Sequence, residues 1–357
     1  MVQSPFLEMS ANTLTVLWND SATPSELSAA IGWGAVGATC NPVIALSALK
    51  AAPEYWAERI RVYAAADPTA TEDDIGWAMV RELSVEAAKL LEPAFVKFNG
   101  RNGRLSIQTD PRFYRDATAL ADQAVEVSQL AKNVIVKIPV TAAGVVAIED
   151  AVYRGVNINA TVSFSVAQTI AVAEAIERGM NRRAADGHDI STMGHVCTIM
   201  VGRTDDWMKQ VIARDGLDVD PAACDWAGVA VFKNAYRIYQ ERGYRTRLLS
   251  AAFRNHHHWS QLVGGDIVVS PPFNWQEKAN ESGISAEPRM HLPVAADIMN
   301  ELFKIGPEFH KAYDADGMTP AEFNTYGATV RTLRQFLQAN NDLEQFVRDV
   351  TLPNPDL

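Results

Sequence analysis

Lys137 is the only charged side chain in the run Val134-Ile135-Val136-Lys137-Ile138-Pro139-Val140. A short run that is apolar at every other position reads as a strand covered on both faces. Burying an ammonium there is costly, and burial drives a lysine down from about 10.4 toward the neutral amine. A neutral amine attacks carbonyl carbons. The competing reading is a strand-end lysine whose head snorkels to solvent. The polar residues that close the neighbouring runs decide between the two.

Those residues are Asn19 and Asp20, Asn41, Gln108 with Thr109 and Asp110, Asn159 with Thr161, Thr198 with Arg203, and Arg254 with Asn255. Side chains alternate along a strand, so Asn159 and Thr161 share one face, as do Ile135, Lys137 and Pro139. Together they supply one amine, at least one acid, several amides and hydroxyls, and two guanidinium groups. That assortment suits a carbonyl substrate with many hydroxyls and an anionic end. Each also has an ordinary explanation. Asn41 before Pro42 starts turns, Thr161 favours strands, Asn159 can be a structural amide, and Arg203 beside Asp205 and Asp206 can form a surface ion pair. All of these at strand ends by accident is the weaker account.

The elements that must position them are strand-like runs near Thr13–Trp18, Ala35–Thr39, Leu105–Thr109, Val134–Pro139, Asn157–Ser163, His195–Val201, Thr246–Ala252 and Asp266–Ser270. Helical patterns at Tyr114–Ala131, Val166–Arg182, Pro221–Arg242 and Arg254–Val263 separate several of them. Such alternation signals βαβ units around a parallel sheet, and eight units predict a closed (β/α)₈ barrel, the TIM-barrel form of the α/β class. In that architecture the site lies at the carboxyl ends of the strands. The 357 residues exceed a minimal barrel, and two additions account for the excess. One is a helical insertion after the second strand, residues 53–99. The other is a C-terminal helical extension, residues 286–357, with helices near Pro320–Ala339 and Leu343–Val350. A single domain spanning residues 1–357 is expected.

Composition bounds the class. The net charge of −11 argues against general nucleic-acid binding while allowing a local basic pocket. Cys40, Cys197 and Cys224 show neither CxxC spacing nor an even count, so no disulfide framework is expected. The N-terminus lacks a basic region followed by an apolar stretch, and no run of 18 apolar residues occurs. A soluble cytoplasmic protein without membrane partners is expected.

The strand ends resemble the transaldolase family. Gly37-Ala38-Thr39-Cys40-Asn41-Pro42-Val43-Ile44 is similar to its first signature, and Ile135 through Gly144 to its second, in which the lysine forms the Schiff base. Asn157 through Ser165 resembles the fifth-strand motif, Val201 through Trp207 the segment with one phosphate-binding arginine, and Ala252-Phe253-Arg254-Asn255 the segment with the other. The tail Thr329–Val350 resembles the terminal helices of the long members. The resemblance implies transfer of a dihydroxyacetone unit from a ketose phosphate to an aldose phosphate, without metal or organic cofactor. It makes Lys137 the nucleophile, Asp20 the general base, and Gln108 and Thr161 the residues that position the proton-shuttling water. Asn19, Asn41, Asn159, Thr198, Arg203 and Arg254 become substrate-binding. Small sugar phosphates are the expected partners, and a homodimer is compatible with the sequence.

Three departures bear on this reading. Gln108 stands where the family's transaldolases carry a glutamate, as in the fructose-6-phosphate aldolase branch, where dihydroxyacetone is free. Leu17-Trp18-Asn19-Asp20-Ser21 leaves open which of Asn19 and Asp20 occupies the catalytic acid position; alignment favours Asn19 and chemistry favours Asp20. Met200 and Ala252 replace an aromatic residue and a phosphate-contacting serine. A non-catalytic sugar-phosphate-binding barrel is the rival reading. Gly32-Trp33-Gly34-Ala35-Val36-Gly37 satisfies GxGxxG, but a helical stretch precedes it, so it is no dinucleotide fingerprint. His256, His257 and His258 point about 100° apart on a helix and cannot share one ion; a helix start beneath Arg254, with one imidazole near the phosphate, is the better expectation.

Overall fold

Eight short runs rich in alanine and β-branched residues form the strands β1 (Val16–Asn19), β2 (Ala35–Thr39), β3 (Arg104–Gln108), β4 (Val134–Pro139), β5 (Ile158–Ser163), β6 (Val196–Ile199), β7 (Arg247–Ala251) and β8 (Val268–Ser270). In the computed structural model, which describes residues 4–356, they pair in parallel in chain order and β8 closes on β1. Parallel neighbours need a crossover, and helices supply it after most strands. The expected (β/α)₈ barrel is what the chain forms.

Several of the crossovers start with a side-chain cap. Asn41 accepts from the Ile44 N–H at 3.0 Å, Thr141 from Gly144 at 2.9 Å, and Ser165 from Gln168 at 3.1 Å. Such caps satisfy otherwise unpaired helix donors and fix where strand turns into helix. They also set the positive ends of these helices around the carboxyl mouth of the barrel.

Two apolar cores result. The larger lies between strands and helices. The smaller fills the barrel itself with Trp18, Ile135, Val196, Leu249, Ala251 and Val268, against which Val16 and Val36 pack. Trp18 is its plug, fully buried. Gly37 makes room for that indole, since a Cβ there would lie 2.5 Å from the ring. The register between β1 and β2 slips between Leu17 and Asn19, which accommodates this contact.

The insertion between β2 and β3 contains helices Pro53–Ala66 and Glu72–Lys97. Thr71 and Asp74 cap the second reciprocally, with Glu72, Asp73 and Asp74 in its first turn, as its sequence predicts. The tail departs from expectation. Pro320 opens only a short 3₁₀ turn, Pro320–Thr325, and the two expected helices are one continuous helix, Gly327–Thr351. No proline or glycine interrupts that stretch after Gly327, and Asn340 is buried inside it rather than ending it. The helix packs on Pro42–Ala51, Pro53–Ala66 and Glu72–Lys97, and reaches β5 and helix Val201–Asp215. The expected helix Arg254–Val263 also shrinks, to His257–Ser260. Among the described residues no helix is long and apolar enough to cross a membrane.

Candidate active site

Ile135 belongs to the core inside the barrel, so Lys137, two residues on, points inward as well. Its side chain is 3% exposed. Register sets it between Gln108 of β3 and Asn159 of β5. Burial is the main influence on its amine and pushes the pKa down; the charges of Asp20 and Cys40 oppose that, and Arg203 adds to it. No hydrogen bond is among these influences. The snorkelling alternative therefore fails. The lysine is a buried, weakly held amine biased toward its neutral form.

The same alternation separates Asn19 from Asp20. Val16 and Trp18 face the barrel interior, so Asp20 shares their face and Asn19 lies on the other. Asn19 is spent there, accepting from Gln276 Nε2 at 2.6 Å and donating to the Ser21 carbonyl at 2.9 Å. These contacts make Asn19 a strut beneath helix Phe273–Glu281. Asp20 instead accepts a hydrogen bond from Thr39 on β2, and its charge acts on both Lys137 and Arg203. Asp110, another strand-end acid, is also diverted, paired with Arg112 at 2.5 Å and capping its own turn.

Beside the lysine, Asn159 donates to Ser106 Oγ at 2.9 Å and accepts from Thr198 Oγ1 at 2.7 Å. This chain ties β3, β5 and β6 across the barrel and fixes the Asn159 amide. Thr198 is thus a brace for Asn159, while Asn41 keeps its amide nitrogen available after using its oxygen as a cap. Above this layer, Gln108 Oε1, Thr161 Oγ1 and Ser270 Oγ are buried without a protein partner, as is Trp18 Nε1 below it. Buried polar atoms normally have partners. Inward-facing ones in one barrel form a lining suited to a hydroxyl-rich ligand. Ser106 and Ser270 escaped the sequence reading, although Ser270 closes the last strand-like run and is legible as a strand-end hydroxyl.

After Thr161 the backbone of Val162 enters the left-handed region at φ 57°, and the β5–β6 register slips. For a β-branched residue this costs roughly 1–2 kcal/mol. The slip leaves Thr161 facing in and sets Ser163 in register with Ile199, which belongs to the outer core. A regular strand would have placed Ser163 beside the ligand.

At the rim, a cavity of about 240 Å³ is lined by Arg203, Arg254, Arg331, Asp206, Thr332 and Gln335 among others. Arg203 lies over the Phe336 ring, 5.8 Å from its centroid, and donates to Thr332 at 3.4 Å. Burial lowers its pKa to about 10, with Arg254 adding to the effect. Its Nε–H has no partner and it makes no ion pair among the described residues. The anticipated surface bridge belongs to Arg254, which holds Asp206 at 2.8 Å. Gly202 lets the two loops meet, because a Cβ there would lie 2.1 Å from the Ala252 carbonyl.

The imidazole of His258 lies beneath Arg254. Its Nδ1 accepts from the Arg254 backbone N–H at 3.0 Å, which leaves the proton on Nε2 to donate to Asp205 at 2.7 Å. Asp205 also accepts from Gly228. The three histidines do not converge, and among the described residues no group of three or more His, Cys, Asp or Glu is placed for a metal ion. Arg331 was missed. Ala328, Arg331, Thr332 and Gln335 follow i, i+3, i+4, i+7 spacing, so they form one helical face. That face is legible in the sequence, but not what it lies against.

Comparison with known proteins agrees with this geometry. The family model described as transaldolase/fructose-6-phosphate aldolase matches residues 17–324. A protein named transaldolase from Kocuria rhizophila is 32% identical over 208 residues, covering 58% of this chain and 56% of that protein. The transaldolase of Mycobacterium ulcerans is 33% identical over 214 residues, covering 58% and 55%. Transaldolase 1 of Streptomyces avermitilis is 32% identical over 209 residues, covering 58% and 54%. The chain thus spans little more than half the length of the curated relatives it matches. With the family model covering every barrel strand beyond its first residue, the chain belongs to the transaldolase/fructose-6-phosphate aldolase family.

Proposed function

We propose that the protein moves a dihydroxyacetone unit between sugar phosphates through a Schiff base on Lys137. The observation that carries this reading is the Lys137 amine itself, buried and pushed toward neutrality within the field of the Asp20 carboxylate. Nζ attacks the ketose C2 carbonyl, and loss of water gives an iminium that withdraws electrons from C3. Asp20 takes the C4 hydroxyl proton as the C3–C4 bond breaks, its electron pair becoming the enamine double bond. An aldose phosphate leaves. The enamine then attacks an acceptor aldehyde, and hydrolysis of the new iminium frees Lys137. Asn41 and the braced Asn159 hold the donor hydroxyls, Thr161 and Gln108 position the water, and the arginine pocket takes the phosphate by charge-assisted hydrogen bonds. Borohydride reduction with a ketose phosphate, followed by peptide mass mapping, tests the reading. A three-carbon adduct on Lys137 is expected; no adduct points to the binding-only barrel.

One observation favours a second reading. Gln108, not a carboxylic acid, stands beside Lys137, and an amide does not exchange protons near neutrality. That arrangement suits cleavage to free dihydroxyacetone more than efficient transfer. Ketose phosphate supplied without an acceptor separates the two, since only simple cleavage then releases dihydroxyacetone. On either reading Gln108→Glu adds a titrating group to the proton path. Transfer in the presence of an acceptor is expected to rise by about 10-fold or more, measured as the transfer-to-cleavage ratio.

Arg331→Gln tests the third arginine. Loss of one charge-assisted contact raises KM for a phosphorylated ketose by roughly 10–100-fold. It leaves kcat, and turnover of an unphosphorylated ketose, within a few-fold. An equal loss on both substrates would return Arg331 to a packing role.

A further inference from the structure

Charge is distributed unevenly at the amino-terminal end of the barrel, opposite the mouth. A cavity of about 320 Å³ there is lined by Asn99, Arg101, Arg245, Arg247 and the segment 191–195, among others. Two of its arginines are neutralised, Arg101 by Asp266 at 2.5 Å and Arg245 by Glu177 at 2.5 Å. Arg247 has no carboxylate partner among the described residues; it donates only to the Arg101 carbonyl at 2.9 Å and to Asn102 at 3.2 Å. Arg104 stands behind the wall, 3% exposed. It too is satisfied by carbonyls alone, Gly100 at 2.7 Å and Thr192 at 3.1 Å. Burial and mutual or neighbouring repulsion lower both guanidinium groups to about 10.

His195 supplies an independent observation. It is 4% exposed and lines the same cavity. Its Nδ1 accepts from the Ile158 backbone N–H at 3.1 Å, so the ring proton sits on Nε2. Nε2 is buried without a partner. The carbonyl contacts of Arg104 and Arg247 are a sufficient reason for two arginines to tie loops together. They do not explain why buried Arg104 and half-buried Arg247 pair directly with no carboxylate in a chain of net charge −11, nor why a buried N–H donor of a cavity-lining histidine has no acceptor. A small anion answers all three.

We propose that this cavity binds an oxyanion of the phosphate class, held by Arg247 and the His195 Nε2–H in the field of Arg104. The volume admits a free phosphate or a phosphate carrying a short organic group. The assignment does not depend on the reaction at the other end of the barrel.

Calorimetric titration with sodium phosphate and with glycerol 3-phosphate, at low ionic strength, tests it. Arg203→Gln with Arg254→Gln serves as background, to weaken anion binding at the rim. One phosphate-class ligand per chain is expected in that background, and adding Arg247→Gln weakens binding by about 10-fold or more. Tighter binding of the free ion assigns the site to phosphate itself, and tighter binding of the ester assigns it to a phosphorylated metabolite; both support it. A second variant guards against a fold defect. Asn99 lines the cavity at φ 46°, a conformation that aspartate also tolerates. Asn99→Asp installs an internal counter-charge of the same shape and is expected to weaken phosphate binding by about 10-fold. Absence of binding in the rim-deficient background, or affinity unchanged by both further substitutions, overturns the proposal.

Discussion

Lys137→Met abolishes carbon–carbon turnover, by at least about 10⁴-fold, and at the same time makes the protein more stable. The loss follows from the chemistry, because among the described residues no other lysine is buried and a thioether has no nucleophilic nitrogen. Lys137→Arg is expected to fail equally, since a guanidinium stays protonated. Both variants retain phosphate at the rim, where Arg203, Arg254 and Arg331 are untouched. The gain in stability comes from the buried charge. Burial lowers the amine's pKa in the folded chain, so between that value and about 10.4 the unfolded chain binds a proton that the folded one does not. Stability of the natural chain therefore rises with pH across that window. The advantage of the methionine variant is largest below the window and closes as pH climbs through it. Thermal melts across pH, paired with a coupled assay of aldose phosphate release, check both halves. Residual turnover near the natural level, or a variant that melts lower at neutral pH, would contradict the assignment.

The barrel was legible because period-two burial and strand–helix alternation are local signals. Six of the eight strands fall within the expected runs, and β1 and β3 each overrun theirs by one residue, Asn19 and Arg104. What local patterning cannot carry is a change of facing. Asn19 and Asp20 are adjacent, and either can be aligned with a catalytic acid. The buried Trp18 decides between them, and that is a contact with Gly37 on the next strand. At Val162 the backbone turns left-handed, and strict alternation would wrongly bring Ser163 inward.

The rim shows the same limit over a longer reach. Arg203 and Arg254 end strand units and could be named from position. Arg331 comes from a helix whose docking on the barrel no local pattern reveals. The continuous Gly327–Thr351 helix was read as two because Ala339-Asn340-Asn341-Asp342 looks like a break. Packing holds Asn340 inside it, where its amide donates to Asp73 and Glu344. The insertion and the tail therefore meet, and the tail contributes a wall of the arginine-lined rim cavity.

Asp20→Asn is expected to lower turnover by roughly 10²–10⁴-fold, the usual worth of a positioned general base. The substitution is nearly isosteric, and the asparagine oxygen can still accept from Thr39, so the strand end keeps its shape. Two further readouts separate a base from a prop. First, the Lys137 iminium is still trapped by borohydride from a ketose phosphate, because condensation at C2 precedes the step that needs the base. Second, Asp20 is the leading influence that holds the Lys137 pKa up against burial. Removing its charge lets that pKa fall further, so the acid limb of the trapping rate moves to lower pH. The companion change Asn19→Asp gives no compensation. It puts a carboxylate beside the Ser21 carbonyl in place of an amide donor, in a fully buried position, which destabilises the fold. Natural turnover in Asp20→Asn, with loss in Asn19→Asp at unchanged stability, would transfer the proton-accepting position to the neighbouring residue and overturn the inward-facing assignment.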